Sequence, residues 1–233
     1  MYQCIYCLRS LKKAEKTVDH VIASSWFPET TPHNIEKWRV PSCRSCNHKY
    51  GRFEDDIGLR MAMCVDPEDP AAAGIYAKAK RAIDPTEGRN EKDRLARKRK
   101  REKLLGEFRV MRSLPTHGLL PSFQPNWDNG SRLAIFVSAK DLESLVKKWV
   151  RGIHYLTLDR LIKRDDDIDI LHVRDDVADE AFREIKHRAT FLRKGPGVVI
   201  MQATASEKGE SMTLYGFEIW GQYRVYASVD EDI

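Results

Sequence analysis

The chain has 233 residues, enough for one large domain or two small ones, and at 42% hydrophobic and 32% charged it has the composition of a charge-rich globular protein. No apolar run approaches the roughly 20 residues that a membrane-spanning helix needs. The opening Met1-Tyr2-Gln3-Cys4 has no basic segment leading into an apolar one, so a cytoplasmic, reducing location without membrane attachment is expected. A net charge of +5 is too mild to name a partner by itself, which leaves the distribution of charge to be read along the chain.

Three stretches differ in character, and they divide the chain into candidate units at 1–60, 61–120 and 121–233. The first holds two Cys-x-x-Cys pairs, Cys4-Ile5-Tyr6-Cys7 and Cys43-Arg44-Ser45-Cys46. In a reducing compartment such pairs favour a metal over disulfides. Four thiolates close a tetrahedral site and leave no open position, so the expected ion is a structural Zn²⁺. Four free thiols or a redox-active pair are the alternatives. The gap between the pairs is far longer than the roughly 15 to 20 residues of a simple zinc ribbon. The zinc therefore encloses a segment with contents of its own. These are a strand around Lys16–Ala23, a loop with Pro28, Pro32, His33 and Asn34, and, after the second pair, a helix from near Ser45 carrying Asn47, His48, Lys49 and Arg52. The remaining cysteine, Cys64, reads as a small buried residue.

The second stretch opens on the Pro- and Ala-rich segment 66–74 and continues as a charged helix over Arg89–Arg112. Its centre, Arg94 to Lys103, is strongly cationic. Like charges four residues apart repel, and phosphates would relieve them with release of counterions. Arg97, Lys98 and Arg101 are candidate nucleic-acid contacts of a kind that does not read sequence. The alternative is a solvated linker helix, its charge offset by Glu91, Asp93 and Glu102.

The third stretch reads as α+β. Ser138, with Asp141 three residues on, opens a helix whose apolar face is Leu142, Leu145, Val146, Trp149, Val150 and Ile153, with an end expected at Gly152. A second helix is expected over Asp176–Leu192, stopped by Gly195-Pro196-Gly197. Three strands, Val198–Thr204, Met212–Trp220 and Tyr223–Val229, with turns at 206–209 and 221–222, suggest an antiparallel meander. The acidic run Asp165-Asp166-Asp167 reads as a solvated loop.

Taken in order, Asp19-His20-Val21-Ile22, Asn34-Ile35 and Cys43-Arg44-Ser45-Cys46-Asn47 resemble the HNH endonuclease family in its four-cysteine zinc form, over about the first quarter of the chain. The resemblance implies a ββα-metal unit, within an α+β protein, that hydrolyses phosphodiester bonds. DNA is the expected substrate, with RNA possible and a homo-oligomer possible. By position, His20 resembles the general base, Asp19 the metal-binding carboxylate, and Asn34 the central asparagine that orients the histidine. Asn47 resembles the last family position, a second metal ligand, which gives an all-oxygen protein shell suited to Mg²⁺ or Mn²⁺. A histidine suits the work of a base at neutral pH. Strand alternation puts Asp19 and His20 on opposite faces unless the strand bends there. Lys49 and Arg52 could touch the phosphate backbone. The bland readings are a surface Asp-His pair, a helix cap at Asn34 and a turn residue at Asn47. The alternative function is a non-catalytic zinc-ribbon protein that holds nucleic acid.

Overall fold

The computed structural model describes residues 2–111, 119–121, 132–163, 167–171, 187–207 and 210–232. Tyr2–Gln3 (β1) and Ser10–Leu11 (β2) pair around the first cysteine pair. Lys16–His20 (β3) and Arg39–Cys43 (β4) form an antiparallel ladder that sets Lys16 opposite Cys43 and His20 opposite Arg39. The strand ends at His20, earlier than the Ala23 expected, because Val21 and Ile22 are both buried and the alternation of faces stops there.

β4 feeds directly into a long helix, Arg44–Met63 (α1), whose N-cap is Cys43, the thiol accepting from the Cys46 amide. α1 passes residue 60 without a break. Ile75–Ile83 (α2) and Glu91–Glu107 (α3) follow, and α3 is capped by Asn90, which accepts from the Asp93 amide at 2.9 Å. The basic run is helical as expected, but the helix stops short of Arg112. Phe108 is extended, and Arg109–Met111 (β5) joins a three-stranded antiparallel sheet, lying beside Arg132–Phe136 (β7), which also pairs with Leu119–Pro121 (β6).

The helix opened by Ser138 spans Ala139–Leu158 (α4), and Leu145, Val146, Trp149, Val150 and Ile153 are buried as its pattern predicts. It does not end at Gly152. It runs to Asp159, which takes the left-handed cap conformation at φ 53°. Gly152 serves close packing instead, since a Cβ there would come 2.5 Å from Val21 Cγ2.

Ile168–Leu171 (β8), Thr190–Arg193 (β9), Val198–Glu207 (β10), Glu210–Ile219 (β11) and Tyr223–Asp232 (β12) form an antiparallel sheet in the order β8-β12-β11-β10-β9. The meander is present with longer strands than expected, Ser206 and Glu207 extending β10. Of the helix expected at Asp176–Leu192, residues 176–186 lie outside the described residues, and His187 and Arg188 are helical. Leu192 pairs with Ile200 in β9, so that end is strand. Gly195 and Gly197, at φ 95° and 77°, turn a hairpin rather than stop a helix. Asp165 and Asp166 of the acidic run also lie outside the described residues.

One core joins the N-terminal hairpin to this sheet. The Trp26 ring meets Trp149 edge-on at 5.5 Å and Trp220 at 5.4 Å. Trp220 Nε1 donates to the Trp26 carbonyl at 2.6 Å, and Trp26 Nε1 donates to the Glu54 carbonyl at 3.3 Å. Cys64 is buried as expected, and burial pushes its thiol up to about 12. Among the described residues, no helix is long and apolar enough to cross a membrane.

Candidate functional site

The two cysteine pairs meet. The sulfurs of Cys4, Cys7, Cys43 and Cys46 all lie within 4.8 Å of one another, with Cys7 and Cys43 at 3.8 Å. Zinc–sulfur bonds of about 2.3 Å in a tetrahedron put sulfurs roughly 3.8 Å apart, so the cluster is the size that zinc needs. The first pair gets its curl from Leu8, held at φ 59° with its amide on the Cys4 carbonyl at 2.8 Å. The Ile5 amide ties that turn to Pro41 of β4 at 3.2 Å. Burial opposes ionisation of Cys43, yet hydrogen bonds with Ser45 and Cys46 bring its pKa down to about 6. Burial pushes Cys4 and Cys46 the other way. One thiol in the cluster thus gives up its proton readily, as binding a cation requires.

This frame fixes β3 and β4 against the first turns of α1. Asn47 Nδ2 donates to the Val18 carbonyl at 3.2 Å and to Thr17 Oγ1 at 3.4 Å. A carbonyl can only accept, so the NH₂ must face β3 and the amide oxygen of Asn47 is left for another partner. Asp19, the next residue along β3, is 6% exposed, while Val18 before it is 53% exposed. His20 ends the strand half-buried. Burial lowers its pKa; Asp19 opposes this, and Lys37, Arg39 and Lys148 add to the lowering. The lowering favours the neutral imidazole, the form that can accept a proton. Asn34 is exposed, no helix follows it to be capped, and among the described residues no hydrogen bond reaches its amide.

Residues 4–53 match the family model described as HNH endonuclease. This segment is an HNH domain. No curated protein and no solved structure matches the chain. The cysteines of the HNH domain are arranged to hold a metal of the zinc type, and its family acts on nucleic acid.

The inner side of the HNH domain contains residues that a reading of local motifs passed over. Lys148 of α4 is fully buried, and its Nζ lies 2.7 Å from the His20 carbonyl, 2.6 Å from Glu54 Oε1 and 3.2 Å from Asp19 Oδ2. Glu54 sits on α1 two turns beyond Asn47 and is 5% exposed. Burial pushes its pKa up to about 7, with Lys148 pulling the other way. Tyr6 packs against the same group; burial and then the charge of Asp19 raise its phenol. Two carboxylates thus share one ammonium away from solvent. The signal in the sequence was Lys148 itself, a lysine on the apolar stripe of a helix, three residues after Leu145.

The basic candidates divide. Lys49 and Arg52 are exposed on α1, and Lys49 Nζ lies over the Tyr50 ring at 5.4 Å. Lys98 and Arg101 are exposed on α3. Arg97 is occupied inside the fold: it pairs with Asp93 at 3.2 Å and donates to the Arg81 carbonyl at the end of α2.

Proposed function

We propose that the chain is a divalent-metal-dependent endonuclease hydrolysing phosphodiester bonds in DNA, with His20 as the base that activates water. The observation that carries this reading is the anchoring of Asn47 onto β3 beside the Asp19-His20 step, inside the thiol-closed frame. Asp19 and the Asn47 amide oxygen would hold the ion. Both are hard oxygen donors, which suits Mg²⁺ or Mn²⁺, and an ion there would share the Asp19 carboxylate with the Lys148 ammonium 3.2 Å from its Oδ2. When bound, such an ion neutralises charge on the scissile phosphate and its leaving oxygen. His20 takes the proton from water. The orienting role that the resemblance gives Asn34 has no contact behind it among the described residues, and Asn34 takes no part in this scheme. Lys49, Arg52, Lys98 and Arg101 would hold the backbone without reading sequence. RNA is the second substrate to try, and cutting both strands of a duplex from one site calls for a dimer or two encounters. The expected setting is the cytoplasm, where the thiols stay reduced. In this scheme 1–60 is the nuclease unit, 61–120 a basic connection and 121–233 an α+β support.

One observation favours a second reading, a zinc-stapled binder without catalysis: the Asp19 carboxylate already faces the Lys148 ammonium. Nicking of supercoiled plasmid with Mg²⁺ or Mn²⁺ separates the two. Zinc-loaded wild type should cut, and His20→Ala should lose about 100-fold or more in rate. Retarded DNA in a gel with no cleavage by either protein would establish the binder.

A further inference from the structure

We infer that Lys148 is a positioning residue of the HNH site, so that α4, far along the chain, completes the nuclease. The inference rests on the endonuclease reading above.

An ammonium offers three donors, and at Lys148 three oxygens lie within reach of them: the His20 carbonyl, Glu54 Oε1 and Asp19 Oδ2. Two of the three belong to the adjacent pair Asp19-His20. The contact with His20 is to its main chain. The Val21 amide bonds the Trp38 carbonyl at 3.0 Å and keeps the β3–β4 register one residue past His20. The His20 carbonyl, like that of Val18, therefore faces the open edge of β3, and Lys148 donates to it there, which fixes the peptide from which the imidazole projects. One turn on along the same face of α4 comes Gly152, whose bare backbone lets Val21 approach so closely that a Cβ would lie 2.5 Å from it. Residues 19, 20 and 21 are therefore gripped side by side by one face of α4, through an ion pair, a hydrogen bond and a packing contact.

Stability alone does not account for a lysine here. A buried ion pair can often be replaced by apolar side chains of similar volume without loss. Serving only as counter-ion to Glu54 would not require contact with the His20 carbonyl or with Asp19. The placement is explained if the ammonium sets the carboxylate and the peptide of the motif relative to each other. Misplacing a reacting group by about an ångström can cost about 100-fold in rate.

The test uses full-length, zinc-loaded protein: wild type, His20→Ala, Lys148→Met, the double variant Glu54→Gln/Lys148→Met, and Gly152→Ala. Three quantities are measured: the single-turnover cleavage rate at saturating Mn²⁺, the affinity for the same DNA in Ca²⁺, and the melting midpoint. Lys148→Met should lower the rate about 100-fold per folded molecule with DNA affinity unchanged. The double variant, with Glu54 no longer charged, should regain melting midpoint without regaining rate. Gly152→Ala, which pushes α4 off Val21 with Lys148 intact, should also be slowed, and it carries the test should Lys148→Met not fold. A double variant or Gly152→Ala cutting as fast as wild type overturns the inference and leaves the endonuclease reading standing. A wild type that cuts nothing overturns both.

Discussion

The two ends of β3 are organised on different principles. At its start, opposite Lys16, Cys43 belongs to a cluster built from two short sequence motifs, each of which makes its own turn. At its end, Asp19 and His20 depend on Glu54 and on Lys148, which lies 128 residues beyond His20 in the chain. The first end is a local device that needs only a metal. The second is a long-range one that needs most of the fold. A motif therefore marks where the chemistry is proposed, while the groups that hold it rigid come from elsewhere.

The thiol cluster at the start of β3 should carry the largest share of stability. Binding of a structural zinc is worth about 10 kcal/mol in small zinc domains. Chelation, or Cys43→Ser, should lower the melting midpoint by about 10 °C or more, read by tryptophan fluorescence with metal content checked in parallel. A chelated protein melting like the loaded one would show that the tryptophan core, not the metal, holds the hairpin.

A finer probe is the seam between α4 and the end of β3. Gly152→Ala should destabilise by about 1–3 kcal/mol in denaturant titration, because Val21 is hemmed in and cannot give way cheaply. Gly51→Ala, at a helical position with open space, is the control and should gain slightly. Equal effects at the two glycines would mean that the seam is loose.

The smallest effect concerns the far side of α4. His154 is fully buried, between Tyr215 Oη at 2.8 Å and Glu231 Oε1 at 3.1 Å. Burial lowers its pKa; Glu231 opposes this, and Arg160 and Arg151 add to the lowering. A folded pKa below the unfolded value means that stability is complete above about pH 6.5 and is lost as pH falls through the folded value. The loss should be about 1 kcal/mol per pH unit from about pH 6.5 down to the folded value and level off below it, and His154→Gln should remove this slope. An unchanged slope would place the titrating group elsewhere.

What was legible in the sequence follows the same division. The cysteine spacing, the Ser138 cap and the meander of β10, β11 and β12 are set by contacts between near neighbours, and each could be read from its own few residues. Gly152 could not, because its meaning lies in Val21 and not in the helix around it. The same holds for Leu192: β9 takes its form from pairing with Ile200, whereas the residues before it suggest a helix. At the site, the Asp19-His20 step and Asn47 announce themselves by order. Lys148 and Glu54 do not, since a lysine on an apolar stripe acquires a role only from what the fold sets opposite it. Arg97 looked like its basic neighbours until the carbonyl of Arg81 was found to engage it.

The hydrogen bond from Trp220 to the Trp26 carbonyl spans 194 residues. A chain emerges from the ribosome N-terminus first. Both cysteine pairs are thus synthesised, and can meet, long before the residue that closes the core exists. Until Trp220 is made, the nascent chain carries its motif without the wall behind it. An early stop in translation would leave the motif present and its support missing.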